Sequence, residues 1–288
     1  MAYEQTGVMV QAIEKDYYVT MLLRLLAQKM PYIVFKGGTS LSKCHKVICR
    51  FSEDIDITID TLLSQGQKKK IKQAIVDSAE ELGMTIENLD ETRSRRDYNR
   101  YVIAYDSVIP MASDALKAAV LLETSYTAVS FPTVLLPVHS YIGDMMEQEA
   151  PDAIEEYSLN PFEMKVQGID RTLADKVFAV CDYYLQGKVA KHSRHLYDIY
   201  KLLPLVPQDE NFKELVKEVR AVREQSVICP SALPEADVPE LLEKIIKEKA
   251  YKQDYDSLTT QLLEETVLYD TVIATLKKVA ESGLFENN

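Results

Sequence analysis

The chain has 288 residues, 47% of them hydrophobic, and a formal charge of −12, enough length for a sizeable core and for two domains of the usual roughly 100–200 residues. A negative field repels a phosphate polymer, which excludes broad nucleic-acid binding and restricts any such partner to local basic patches. No apolar run approaches the roughly 18 residues of a membrane span and the first residues lack a signal-peptide pattern, so a cytoplasmic protein with no membrane partner is expected, its four cysteines reduced because none form a C-x-x-C pair.

In chain order, apolar residues at helical spacing (Ile13, Tyr17, Met21, Leu22, Leu25) predict an amphipathic helix from about Gln11 to Lys29, ended by Met30-Pro31. The β-prone run Tyr32–Phe35 stops at Gly37-Gly38, and a polar–apolar mixture after Thr39 and Ser40 predicts strand, tight turn, helix. A second strand is expected over Asp54–Ile59, with Ile55, Ile57 and Ile59 on one face and Asp54, Asp56 and Thr58 on the other. A helix follows at about Lys69–Leu82, then strands near Asn99–Ile109 and Lys117–Ser125. The stretch 136–160, rich in Pro, Gly and acidic residues, is read as a linker between a core at 1–135 and a domain at 161–288. Beyond Asn160 the periodicity is helical almost throughout, with segments at Ile169–Leu185, Arg194–Leu203, Phe212–Gln225, Val238–Lys249 and Tyr255–Ser282.

Asp54 and Asp56, one residue apart on a strand, point to the same side and suit a shared divalent cation. Mg²⁺ (or Mn²⁺) fits, since such a cation binds through one or two carboxylates and completes its shell with water and phosphate oxygens. Free backbone N–H groups at Gly37-Gly38-Thr39-Ser40, where strand turns into helix, would face a triphosphate, and glycine permits close approach. Alone, each signal has a bland alternative: the aspartates as polar positions of a solvated edge strand, the glycines as an ordinary turn. Their order, strand then G-G-[ST] then helix then D-h-D strand, favours a nucleotide site.

Phe35-Lys-Gly-Gly-Thr-Ser-Leu-Ser-Lys43 followed by Arg50-Phe-Ser-Glu-Asp-Ile-Asp-Ile57 resembles the signature of the AbiEii/AbiGii toxin family of nucleotidyltransferases, and Glu14-Lys-Asp-Tyr-Tyr-Val-Thr20 is similar to that family's opening helix. The resemblance extends to about Leu203. It implies an α/β (α+β) fold: a polymerase-β-like nucleotidyltransferase core with a mixed sheet, and an α-helical C-terminal domain closing over the nucleotide. It also implies a toxin of a toxin–antitoxin or abortive-infection system, with a cognate antitoxin as partner, a nucleoside triphosphate as substrate and, in some members, the 3′ end of tRNA as acceptor.

The superfamily typically adds a third carboxylate on a neighbouring strand, a place that Glu123 of Val120-Leu-Leu-Glu-Thr124 fills as metal ligand or base; the alternative is a strand-end surface glutamate. Lys176 matches a family lysine on the first helix of the C-terminal domain, and Asp198 the aspartate about two dozen residues on, so the resemblance makes them phosphate binder and orienting partner. The alternatives are a snorkelling lysine and a helical Arg194–Asp198 pair. Lys36 and Lys43 flank the turn and could neutralise phosphate charge, although isolated lysines near a loop are more often simply solvated; Arg50 and Ser52 match the family's arginine-phenylalanine-serine pattern, with Ser52 equally suited to cap a turn, and Lys36, Arg50 and Ser52 join the glycine turn as nucleotide-binding candidates.

Two basic stretches are candidates for RNA. Lys188, Lys191 and Arg194 lie between the helices of Lys176 and Asp198 and are preferred, while Arg93-Ser-Arg-Arg-Asp-Tyr-Asn-Arg-Tyr101 interleaves cations with aromatics but reads first as a charged hairpin tip and only second as a nucleic-acid contact. The four histidines show no zinc spacing. The reaction expected is transfer of a nucleotide to an RNA acceptor, the tRNA 3′ end, with two rivals: transfer to a small molecule or protein side chain, and a non-catalytic nucleotide-binding module.

Overall fold

A computed structural model describes residues 9–52, 54–109 and 117–287; Glu53 of the carboxylate motif lies outside them. The chain divides into two compact units, one of Met1–His45 with Ser52–Gln167 and one of Lys46–Phe51 with Gly168–Asn288.

The first unit opens with helix α1 (Val10–Lys29), whose inward residues Val19, Leu22, Leu23 and Leu26 recur at helical spacing and join the core. Strand β1 (Ile33–Lys36) runs directly into helix α2 (Gly37–Lys43), and strand β2 (Ile55–Ile59) follows. Helix α3 (Gln65–Glu81) starts at a capping box, where Ser64 accepts from the Gln67 N–H and Gln67 bonds back to the Ser64 N–H. Strands β3 (Thr85–Ile86), β4 (Tyr98–Ala104), β5 (Ala119–Val129) and β6 (Thr133–Val138), helices α4 (Tyr141–Glu149) and α5 (Pro151–Glu156), and strand β7 (Phe162–Gln167) complete it.

Among the described residues, seven strands form one mixed sheet in the order β3-β4-β5-β2-β1-β7-β6. β2 pairs antiparallel with β1 and parallel with β5, so the carboxylate strand is central. The solvated-edge alternative therefore falls for Asp56, while Asp54 directly precedes the strand. Ile55, Ile57 and Ile59 are fully buried beneath them, as the alternation predicts.

The stretch 136–160 holds the end of β6 together with α4 and α5, all within the first unit. Its Pro, Gly and acids mark helix starts: Ser140 caps α4 by accepting from the Gly143 N–H, and Pro151 opens α5. β7 lies in the region of helical periodicity, yet Phe162, Met164 and Val166 alternate with Glu163, Lys165 and Gln167, the period of a strand, and it pairs with β1 and β6.

The second unit is helical: α6 (Ile169–Leu185), α7 (Arg194–Leu202), α8 (Glu210–Glu224), α9 (Val238–Glu248), the short α10 (Lys252–Asp254) and α11 (Thr260–Leu262) joined by a π-turn at Tyr255–Thr259, and α12 (Tyr269–Glu281). Leu173, Val177 and Val180 of α6 are fully buried with Leu202 of α7 and Leu242 of α9. The single helix expected over Tyr255–Ser282 is interrupted. Residues after Leu262 turn extended to pair with Lys46–Phe51: Phe51 N–H donates to the Leu262 carbonyl at 2.9 Å, Glu264 N–H to the Cys49 carbonyl at 3.0 Å, and Arg50 bridges Leu263.

Candidate active site

The first unit carries the glycine turn and the carboxylates. Gly37 has φ +80°, and a Cβ built on it would stand 1.9 Å from Asp56 Oδ2. Only glycine permits this backbone conformation and this close approach together. The Ser40 hydroxyl donates to the Gly37 carbonyl at 2.9 Å, and the Thr39 and Ser52 hydroxyls bond each other at 3.0 Å, which ties the turn to the segment entering β2. Lys43, in contrast, is buried and paired with Asp16.

Across the sheet, register places Lys36 opposite Asp56, Asp56 opposite Glu123, and Glu123 opposite Arg100. Directly opposed residues project to the same face on strands about 4.8 Å apart. Asp56 and Glu123 are thus neighbours on one open face, between a lysine on one side and an arginine on the other. Arg100 Nε lies 3.7 Å from Glu123 Oε1. Tyr98 donates its phenolic hydrogen to Glu123; burial, then the charges of Glu123 and Asp56, push its pKa well above the usual tyrosine range.

Among the described residues, no three His, Cys, Asp or Glu side chains converge as a metal cage. The donor chemistry fits a hard divalent cation completed by substrate oxygens, since Asp56 and Glu123 offer carboxylate oxygens side by side and Asp54 precedes Asp56 by two residues.

The second unit holds Lys176 and Asp198 together. Asp198 is fully buried; it accepts from Arg50 Nε at 2.7 Å and Nη2 at 2.8 Å, and from Lys176 Nζ at 2.6 Å. Burial by itself would raise the Asp198 pKa, but the charges of Arg50 and Lys176 and their hydrogen bonds outweigh it and hold the carboxyl well below the usual range. For Lys176 burial dominates and lowers its pKa, with Asp198 opposing. Lys176 is 6% exposed and bonded inward, so it does not snorkel. The partners of Asp198 are Arg50 and Lys176, which removes the simple helical Arg194 pair as the explanation of its position. Arg50, four residues before Asp54, is buried, and its Nη1 donates to the Phe51 carbonyl at 3.1 Å.

Lys188 and Lys191 are exposed and Arg194 half-buried. The Lys191 and Ser193 N–H groups donate to the Asp254 carboxylate at 2.7 and 3.0 Å, so Asp254 caps the start of α7 from a distant part of the chain. Tyr183 stacks on His192 with ring centroids 3.5 Å apart and lies nearly parallel to His195. In the other basic stretch, Arg93, Arg95, Arg96 and Arg100 are all exposed, with Arg93 donating to the Thr92 carbonyl at 2.9 Å and Arg96 to the Glu91 carbonyl at 3.1 Å within their own loop. The pairing of Arg100 and Tyr98 with Glu123 was hidden from sequence reasoning, since register across β4 and β5 is a property of the sheet.

The glycine turn stands against neighbouring carboxylates on a mixed sheet, and the family match gives the class as nucleotidyltransferase. Residues 21–275 match the family model described as nucleotidyl transferase AbiEii toxin of type IV toxin–antitoxin systems, and the chain belongs to that family. Among solved structures, MenT4, a nucleotidyltransferase toxin from Mycobacterium tuberculosis H37Rv, is similar with a TM-score of 0.51 and 16% identity, over 96% of this chain and 84% of that one. No curated protein matches. The chain is therefore a nucleotidyltransferase toxin, which implies a nucleoside triphosphate substrate and an antitoxin partner. Among the described residues no helix is long and apolar enough to cross a membrane.

Proposed function

We propose that this toxin transfers a nucleotide from a nucleoside triphosphate to the 3′ hydroxyl of an RNA, the tRNA acceptor end, with Mg²⁺ or Mn²⁺ held by Asp54, Asp56 and Glu123. The observation that carries the reading is the placement of Asp56 between Gly37 and Glu123. Backbone N–H groups of Gly37 and Gly38, with Thr39, Ser40, Lys36 and Ser52, receive the triphosphate. The acceptor hydroxyl attacks the α-phosphorus, its proton passes to Glu123, the bond from the α-phosphorus to the bridging oxygen breaks, and pyrophosphate leaves. A bound divalent cation would supply charge stabilisation at the attacking and leaving oxygens.

In the helical unit, Lys176 is assigned to phosphate charge and Asp198 orients it; Arg50 is a positioning residue that acts through Asp198. Lys188, Lys191 and Arg194 are assigned to the tRNA backbone. Purified protein incubated with each labelled nucleoside triphosphate, Mg²⁺ and total tRNA should label tRNA. Label appearing only on a small molecule or on protein would replace the RNA acceptor with the rival one, and no transfer to any acceptor would leave a non-catalytic module.

A further inference from the structure

In-line transfer needs the attacking hydroxyl and the departing pyrophosphate on opposite sides of the α-phosphorus. On this sheet the row Lys36, Asp56, Glu123, Arg100 has a direction: the glycine turn lies at the β1 end, Arg100 at the β4 end. With the triphosphate at the turn, the acceptor enters over β5 and β4.

A cavity of about 690 Å³ lies there, in the ~300–1,000 Å³ range of sites that enclose a ligand. Its floor includes Val102, Ala119 and Leu121, and its lining holds four cations, Lys15, Arg96, Arg100 and Lys117, against one carboxylate, Glu91. That local surplus runs against the net charge of −12. Tyr98, 52% exposed, presents its ring at the Glu123 end.

The wall formed by the segment before β4 is pre-built. Asn88 Nδ2 donates to the Arg100 carbonyl at 2.9 Å and its Oδ1 accepts from the Val102 N–H at 2.9 Å. Buried Asn99 accepts from the Arg93 N–H at 2.8 Å and donates to the Arg93 carbonyl at 3.0 Å.

We infer that this groove on the open face of β4 and β5 holds the single-stranded 3′ end of the acceptor RNA, with a base stacked on Tyr98 and phosphates on Arg96, Arg100 and Lys117. A single strand offers what the groove matches: repeated negative charge for the cations and a π-face for an aromatic ring over an apolar floor. The inference deepens the proposed transfer to RNA and rests on it.

Arg96 and Lys117 are exposed and outside the carboxylate row, so Arg96→Glu combined with Lys117→Glu tests the groove in the full-length protein. Anisotropy of a short fluorescent RNA with a free 3′ hydroxyl should show binding at least tenfold weaker than wild type. The slope of log K against log salt should flatten by about 1.4, roughly 0.7 for each single-strand phosphate that the variant leaves unneutralised. Mg²⁺-dependent binding of a labelled nucleoside triphosphate should stay within about twofold, because that site lies at the glycine turn. Tyr98→Ala should weaken the RNA by about tenfold or more while Tyr98→Phe keeps the stacking face and the affinity. Unchanged RNA affinity and salt slope in the double variant, with wild-type Tm, would overturn the groove while leaving the transferase reading in place. Wild type that binds no triphosphate would defeat that reading itself, and wild-type label on protein or a small molecule instead of RNA would overturn the groove together with the RNA acceptor.

Discussion

Gly37 and Asp56 are packed so closely that a Cβ on the glycine would stand 1.9 Å from the aspartate's Oδ2. The turn and the carboxylate strand therefore act as one piece, and Gly37→Ala should displace Asp56 and reduce nucleotide transfer by roughly a hundredfold, the scale of a misplaced reacting group. The positive φ adds a stability cost of about 1 kcal/mol. Gly66→Ala in the first turn of α3 meets only Ser64 Oγ at 3.9 Å and should leave transfer intact. Label incorporation and Tm on both variants check this; full activity in Gly37→Ala would separate the turn from the site.

Asp54→Ala, Asp56→Ala and Glu123→Ala should each abolish transfer and leave the fold intact, since each removes one proposed metal-binding carboxylate and lessens repulsion among like charges. Circular dichroism alongside the labelling assay measures both. Wild-type transfer in Asp56→Ala would remove the carboxylate assignment.

Asp198 is fully buried between Arg50 and Lys176. Asp198→Ala leaves two buried cations without their shared carboxylate and should cost about 3–5 kcal/mol, the usual penalty for breaking a buried pair by removing one partner. Lys176→Met keeps the Arg50–Asp198 fork and should cost less stability. If Lys176 serves the phosphate, that variant stays folded and loses transfer; an active Lys176→Met protein would restrict the lysine to a structural role. Urea midpoints and single-turnover labelling separate the two.

Burial, followed by the charge of Lys176 for His195 and of Arg194 for His192, lowers the pKa of both histidines in the folded chain. The unfolded chain takes up these protons as pH falls through about 6.5, whereas the folded one resists them, so this contribution is full above that pH and is lost progressively below it. Tm should drop between about pH 7.5 and 5.5, and the drop should shrink in the His192→Gln/His195→Gln double variant. An identical pH profile in both proteins would count against the assignment.

Charge reversal at Lys188, Lys191 and Arg194 should weaken tRNA labelling far more than triphosphate binding, with the loss greatest at low salt, because a polyanion gathers many weak ionic interactions. Filter binding of tRNA and of a labelled triphosphate at several salt concentrations provides the comparison. Equal loss of both would tie these residues to the nucleotide instead.

Local pattern exposed the helices of the second unit, the β1–α2 turn and the alternation of β2, because each is written in spacing a few residues long. It did not expose the strand at Phe162–Gln167, whose period of two sits in a region of helical composition, or the break after Leu262, where pairing with Cys49 and Phe51 overrides a continuous helical pattern. Long-range hydrogen bonds compete with local propensity and prevail where they satisfy more backbone groups.

By itself the sequence determined the chemistry available: two carboxylates on one strand face, glycines where a backbone must meet phosphate, and a net charge that confines nucleic acid to patches. The tertiary structure decided which of those groups work side by side. Register across β1, β2, β5 and β4 put Lys36, Asp56, Glu123 and Arg100 in one row, and the return of Lys46–Phe51 to the helical unit gave Asp198 its arginine. Neither follows from spacing along the chain, because the partners lie tens to more than a hundred residues apart, and only the closing of a sheet or the filling of a buried charge's hydrogen bonds selects them.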